Sequence, residues 1–190
     1  MICRSSALHT LALSISEEDI VVAVYQTCFD WIELYQRDLN YVSVGAMGQA
    51  SSHGLGLALS NPDRKVYVFD GDGSLLMNLG SLVTIAGSEV TNIFHFVFVN
   101  RVYEVNDEQP IPGANKVDFA GLAKSAGFKG SKNFTKIENF KRELPRIISS
   151  GGPQFVSLEI ETGSNAERNY RYIHSSAARE NFRKRLNGPS

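Results

Sequence analysis

Val66-Tyr67-Val68-Phe69-Asp70-Gly71-Asp72-Gly73-Ser74-Leu75-Leu76-Met77-Asn78 is the stretch that decides the fold. It opens as an apolar run of strand length and closes as a helix-like run, with the turn Gly71-Asp72-Gly73 between them. After 26 further residues, 74 to 99, a second apolar run from Ile93 to Val99 ends in Asn100. Strand, turn, helix and strand in that order make a parallel α/β unit. Asp72 and Asn100 then stand at the ends of neighbouring strands, where open α/β sheets bind ligands. The two glycines let a phosphate approach the backbone, and the start of the next helix offers unpaired N–H groups to an anion. A carboxylate and a carboxamide beside phosphate form an oxygen-only donor set, which suits the hard ion Mg²⁺.

Working outward, Val21 to Tyr25 reads as a buried strand, Phe29 to Tyr35 as a short helix and Asn40 to Val44 as a strand. Gly45-Ala46-Met47-Gly48 turns into a helix that runs to about Leu59 and stops at Asn61-Pro62. One helix is expected over about 75–87 and a strand over 92–99, followed by an irregular stretch from Arg101 to Lys116, of a length usually functional or disordered. Asp118 caps a helix through Ala126, Thr135 to Ser149 forms another, and Gln154 to Ile160 is the last strand. The alternation predicts a doubly wound, mainly parallel sheet with helices on both faces.

The 190 residues suffice for one domain with a real core. A net charge of −1 excludes a general electrostatic attraction to nucleic acid or anionic membrane, and no apolar run has the length of a membrane span. Cys3 and Cys28 form neither a disulfide framework nor a metal-ligand spacing, so a reduced, cytoplasmic setting is expected. Residues 1–16 are expected to be flexible, and 17–162 to be the domain. Residues 163–190 are expected to be a basic helical tail, whose local charge is +4. It reads as a solvated helix, or as an arm docking on a partner subunit.

Taken together, these motifs resemble the thiamine-diphosphate-dependent enzymes, specifically their diphosphate- and metal-binding (PP) domain. The signature of that family is a Gly-Asp-Gly turn followed by a strand-end asparagine, here Gly71-Asp72-Gly73 and Asn100. Gly45-Ala46-Met47-Gly48 is similar to the family turn that holds a bulky apolar residue beneath the folded cofactor. Val102-Tyr103-Glu104-Val105 with Gln109-Pro110 resembles the corresponding loop of sulfopyruvate and phosphonopyruvate decarboxylases. The likeness covers about residues 40–162. It implies Mg²⁺ held by Asp72, Asn100 and the carbonyl of Val102, and a diphosphate held by Gly71, Gly73 and Ser74. Met47, beside Gly45, would prop the cofactor in its bent form.

The resemblance also implies decarboxylation of a small 2-oxo acid, the cofactor's cationic ring taking up the electrons. Family enzymes draw an activating glutamate from a separate pyrimidine-binding (PYR) domain, for which this chain has no room. The chain is therefore similar to the β subunit of sulfopyruvate decarboxylases and is expected to need a PYR-domain partner, or at least a homodimer.

Several residues depart from the family pattern. Arg101 stands where a small residue or a second asparagine is usual, and Asn106-Asp107-Glu108 adds two acids that would repel a sulfonate or phosphonate. Val24-Tyr25-Gln26-Thr27 does not match the pattern expected near the pyrimidine ring. His53 reads as an ordinary helix histidine, and Gly54 and Gly56 as close helix–sheet packing rather than a dinucleotide fingerprint. The rival reading takes Asp70-Gly71-Asp72-Gly73-Ser74-Leu75 as the first motif of a haloacid-dehalogenase-type phosphatase, with Asp70 as nucleophile and Asp72 as general acid. A degenerate, non-catalytic PP domain is a third.

Overall fold

The computed structural model describes residues 1–43, 45, 47–164 and 166–187. In chain order the elements are α1 (Arg4–Ala12), β1 (Ile20–Val24), α2 (Tyr25–Leu34), β2 (Asn40–Ser43), α3 (Ala50–Ser60) and β3 (Val66–Gly71). Next come α4 (Asp72–Leu76), α5 (Ser81–Gly87), β4 (Ile93–Val99), β5 (Val102–Tyr103), β6 (Gln109–Pro110) and α6 (Phe119–Ala126). The chain closes with β7 (Gly130–Phe134), α7 (Ile137–Ser149), β8 (Gln154–Glu159), α8 (Tyr170–Ile173) and α9 (Ser176–Asn187). Val44, Ala46, Asn165 and the end of the expected tail, 188–190, lie outside the described residues.

Six strands form one sheet in the order β2-β1-β3-β4-β8-β7, every neighbouring pair parallel. Side chains alternate across it as the period of two requires. Val21, Ala23, Tyr67, Phe69, Phe94, Phe96 and Phe98 face a core shared with α1, α2 and α7. Ile20, Val22, Val66, Val68, Ile93, Val97 and Val99 face a second core shared with α3, α5, α6 and α9. Both faces are covered, so the strands read as continuous apolar runs. The order reverses between β1 and β3, which opens a crevice beyond their carboxyl ends.

Five sequence expectations are corrected here. The opening segment is ordered rather than flexible: α1 buries Ala7, Leu8 and Leu11, and Ile2 pairs with the end of β8 through Ile2 N–H to Glu159 O at 2.8 Å. The helix after β1 starts at Tyr25, four residues earlier than expected. The helix expected over 75–87 is two helices, α4 and α5, and the irregular stretch after Asn100 carries the small antiparallel pair β5–β6. Finally, β7 is an edge strand of mostly polar, part-exposed residues, Gly-Ser-Lys-Asn-Phe, which carries no apolar run to read.

Gly54 lets α3 lie close to β3, since a Cβ there would stand 2.3 Å from Val68 Cγ2. A Cβ on Gly56, one half-turn on, meets nothing within 4 Å. Gly54→Ala should therefore lower stability by about 1–3 kcal/mol through overpacking, while Gly56→Ala raises it by about 0.5–1 kcal/mol through helix propensity. Thermal midpoints of the two variants moving in opposite directions is the expected result.

Candidate active site

A cleft opens at the β1/β3 switch point, with about 440 Å³ of empty space including its mouth. The first turns of two helices line it: Tyr25, Gln26 and Thr27 of α2, and Asp72, Gly73 and Ser74 of α4. Neither N-cap residue, Val24 or Gly71, caps its helix through a side chain, although Gly73 N–H of α4 is already met by Asp72 Oδ1. Two sets of uncapped helix N-termini in one cleft favour an anion.

Of the residues singled out in the sequence, Met47, Gly71, Asp72, Gly73, Ser74, Asn100 and Val102 all line this cleft. Gly45 does not. It lines a separate pocket between β2 and α9, beside Tyr41 and Phe182. Asp70 is also absent from the cleft lining: it is buried on the α3 side of the sheet, 3.3 Å from His95 Nε2. A nucleophile so enclosed has no route to a phosphate ester, and Asp107 and Glu108, which that reading would need as its later metal-binding acids, are exposed and do not line the cleft. The phosphatase reading keeps Asp72 in the cleft but loses its nucleophile and its acidic pair.

Asp72 is 2% exposed and forms none of the ion pairs among the described residues. Its Oδ1 accepts from Gly73 N–H at 2.8 Å and its Oδ2 from Arg101 N–H at 2.6 Å. Burial pushes its carboxyl up to about 6 from 3.8, against the pull of those two hydrogen bonds. A buried carboxylate with no counter-charge is chemically suited to a cation. Asn100 stands beside it, its Oδ1 accepting from Val102 N–H at 3.1 Å. Ser74 Oγ accepts from Gly48 N–H at 3.0 Å, which leaves the hydroxyl proton free to donate into the cleft. The oxygens of Asp72, Asn100 and the Val102 carbonyl thus form a hard donor set, and the described residues hold no cluster of three or more His, Cys, Asp and Glu. These residues fit Mg²⁺ with a diphosphate.

Gly73 has a further use beside the one the sequence suggests. A Cβ there would stand 2.4 Å from Tyr103 Cε1, so this glycine makes room for the loop that closes over the cleft. A Cβ on Gly71 would meet nothing within 4 Å, so the space beside its backbone is open. Arg101 is likewise explained by the structure. It takes a left-handed backbone, φ 68°, and its side chain pairs with Glu159 Oε2 at 2.8 Å and donates to the Ala114 carbonyl.

Sequence reasoning missed two parts of the wall. The α2 turn was hidden because Val24 carries no capping side chain and Tyr25 extends an apolar run; its φ of 50° shows only in three dimensions. The second part is Arg4, from the segment expected to be loose, which lines the cleft together with Glu104. Nothing in the sequence pattern brings residues 4 and 104 together.

The fold and site define a doubly wound α/β domain with a cleft at its switch point, lined by two helix starts and by residues that carry oxygen donors. Residues 25–158 match the family described as "Thiamine pyrophosphate enzyme, C-terminal TPP binding domain", and the chain belongs to that family. It is 34% identical to a phosphonopyruvate decarboxylase of Streptomyces viridochromogenes over 85% of its own length and 40% of that protein's. It is 36% identical to the sulfopyruvate decarboxylase subunit beta of Methanothermobacter thermautotrophicus over 86% of its length and 85% of the subunit's. The chain thus spans less than half of the first relative and most of the second. In structure it is similar to a thiamine diphosphate-dependent 4-hydroxybenzoylformate decarboxylase of Rhodococcus jostii RHA1, with a TM-score of 0.73 and 17% identity over 85% of this chain and 33% of that one. That likeness concerns the fold. No helix among the described residues is long and apolar enough to cross a membrane.

The raised Asp72 carboxyl has a sign that can be checked. A carboxyl that holds its proton more tightly when folded makes folding stability fall as pH rises from about 3.8 to about 6, and level off above. Asp72→Asn cannot ionise, but its amide NH2 displaces one of the two accepted N–H bonds, so its gain over the parent at pH 7.5 is the ionisation cost, about 3 kcal/mol, less about 1–3 kcal/mol for the lost bond. The gain should shrink as the pH is lowered from 6 toward 4. Urea denaturation across that range measures it; a stability difference between variant and parent that stays constant from pH 6 to pH 4 would refute the uncompensated burial.

Proposed function

We propose that this chain is the Mg²⁺- and diphosphate-binding subunit of a thiamine-diphosphate-dependent 2-oxo acid decarboxylase. The observation that carries this reading is the buried, uncompensated Asp72 beside the oxygens of Asn100 and Val102, between two uncapped helix N-termini. Asp72, Asn100 and the Val102 carbonyl would hold the metal ion. The first turns of α2 and α4, Gly71, Gly73 and the Ser74 hydroxyl would hold the diphosphate, and half-buried Met47 would support the cofactor's bent form. Bound thiamine diphosphate supplies the electron sink for loss of carbon dioxide. The apolar wall of Val24, Phe98 and Val105 keeps that end of the cleft dry.

A PYR-domain polypeptide would complete the site with the activating glutamate. The likeness to a protein named a β subunit, matched over most of its length, supports a separate partner. As for substrate, phosphonopyruvate and sulfopyruvate each carry a second anionic group. Among the described residues, Arg4 is the only basic one lining the cleft, and both Asp30 and Glu104 already pair with it. Either the substrate's side chain is uncharged, or the partner meets its second anion. Asp107 and Glu108 do not decide this, because they lie outside the cleft.

Calorimetry on the purified chain, alone and with its co-purified partner, tests the reading. Thiamine diphosphate should bind only with Mg²⁺, and Asp72→Ala or Asn100→Ala should weaken binding at least tenfold, roughly the loss of one charged contact. Carbon dioxide release from a 2-oxo acid should require the partner. Turnover by the chain alone would sink the two-subunit proposal. A complex that forms but takes up no cofactor would make the chain a non-catalytic PP domain.

A further inference from the structure

Arg4 lies in the first turn of α1, and its side chain is 4% exposed. Its Nη1 pairs with Asp30 Oδ2 of α2 at 3.0 Å, and its Nη2 with Glu104 Oε2. Glu104 Oε1 accepts from Gly163 N–H at 2.5 Å, and Asp30 Oδ1 from Ser164 Oγ at 2.5 Å. One guanidinium therefore draws together α1, α2, the loop after Asn100 and the segment after β8. Its Nε is buried with no hydrogen-bond partner, a cost that a residue chosen for stability alone would avoid. Buried ion pairs also seldom stabilise a fold more than apolar packing would. Glu104 is two residues beyond Val102, and both line the cleft.

We propose that Arg4 and Glu104 form a clamp that positions the Val102 carbonyl for the metal ion. This rests on the metal site assigned above. Arg101 fixes the start of the same loop through Asp72, Glu159 and Ala114, and Tyr103 lies against Gly73. The stretch 101–104 is then held at both ends, with Val102 between them. Arg4 and Glu104 touch neither cofactor nor substrate in this scheme; they act through the backbone of the loop.

The test uses the full chain, with its partner where cofactor binding requires it. Glu104→Ala releases the loop and leaves the Arg4–Asp30 pair in place; Glu104→Gln keeps the side-chain shape but has one accepting oxygen, enough for Arg4 or the Gly163 N–H but not both; Arg4→Lys keeps a charge but loses the two-pronged contact. In the cofactor-free chain, amide exchange over 102–105 should speed up at least tenfold in Glu104→Ala, with α6 and α7 unchanged. Calorimetric titration with Mg²⁺ at saturating thiamine diphosphate should show about tenfold weaker metal binding in Glu104→Ala, with smaller losses in Glu104→Gln, which keeps one of the two accepted hydrogen bonds, and in Arg4→Lys. Exchange within twofold of the parent in Glu104→Ala would overturn the clamp. So would faster exchange with unchanged Mg²⁺ affinity. If the parent binds no Mg²⁺ with thiamine diphosphate, the metal-site reading fails instead, and the exchange comparison alone still decides whether the clamp exists. Should Glu104→Ala not fold, Arg4→Lys carries the same two measurements.

Discussion

The N–H of Arg101 donates to Asp72 Oδ2 at 2.6 Å, and the shape of the cleft depends on that bond. It ties the end of β3 to the end of β4 at the level where both strands stop. Arg101 makes the bond from a left-handed backbone that costs a non-glycine residue about 1 kcal/mol. Its side chain offsets the strain by pairing with Glu159 at the end of β8 and bonding the Ala114 carbonyl. Three strand ends and the closing loop are thereby held in one arrangement.

Charge is distributed unevenly around this arrangement. Asp30, Glu104 and Glu159 each have a guanidinium partner, whereas Asp72, the most buried carboxylate lining the cleft, has none. A lone buried carboxylate destabilises the fold that holds it, and its raised pKa expresses that cost. On the proposed reading a divalent cation removes the cost, so the strongest electrostatic demand in the chain is also its strongest specificity for a ligand. The Arg4 pairs serve the opposite end: they neutralise the wall and keep it rigid.

The glycines show how one residue type meets three different constraints. Gly54 permits helix–sheet contact, Gly73 makes space for a tyrosine ring, and Gly71 leaves a backbone open to approach. Sequence alone reads Gly71 and Gly73 as one device, because a turn between a strand and a helix has no visible neighbour. Only the fold shows that Tyr103, thirty residues on, occupies the space above one of them.

The sequence by itself determined the parallel α/β architecture, the two-sided core and the placing of Asp72 and Asn100 at the ends of neighbouring strands. Those features follow from local periodicity and from strand ends, which a linear pattern records. Apolar runs marked β1, β3, β4 and β8, and the Gly71-Asp72-Gly73 turn marked the ligand end of the sheet. Tertiary structure alone decided the rest. It ordered α1 against β8, placed β7 as a polar edge strand, began α2 at Tyr25 inside the cleft and left Gly45 outside it. It also brought Arg4 within reach of Glu104. Contacts between residues far apart in the chain, and the burial that leaves Asp72 without a counter-charge, are properties of packing, and no short stretch of sequence carries them.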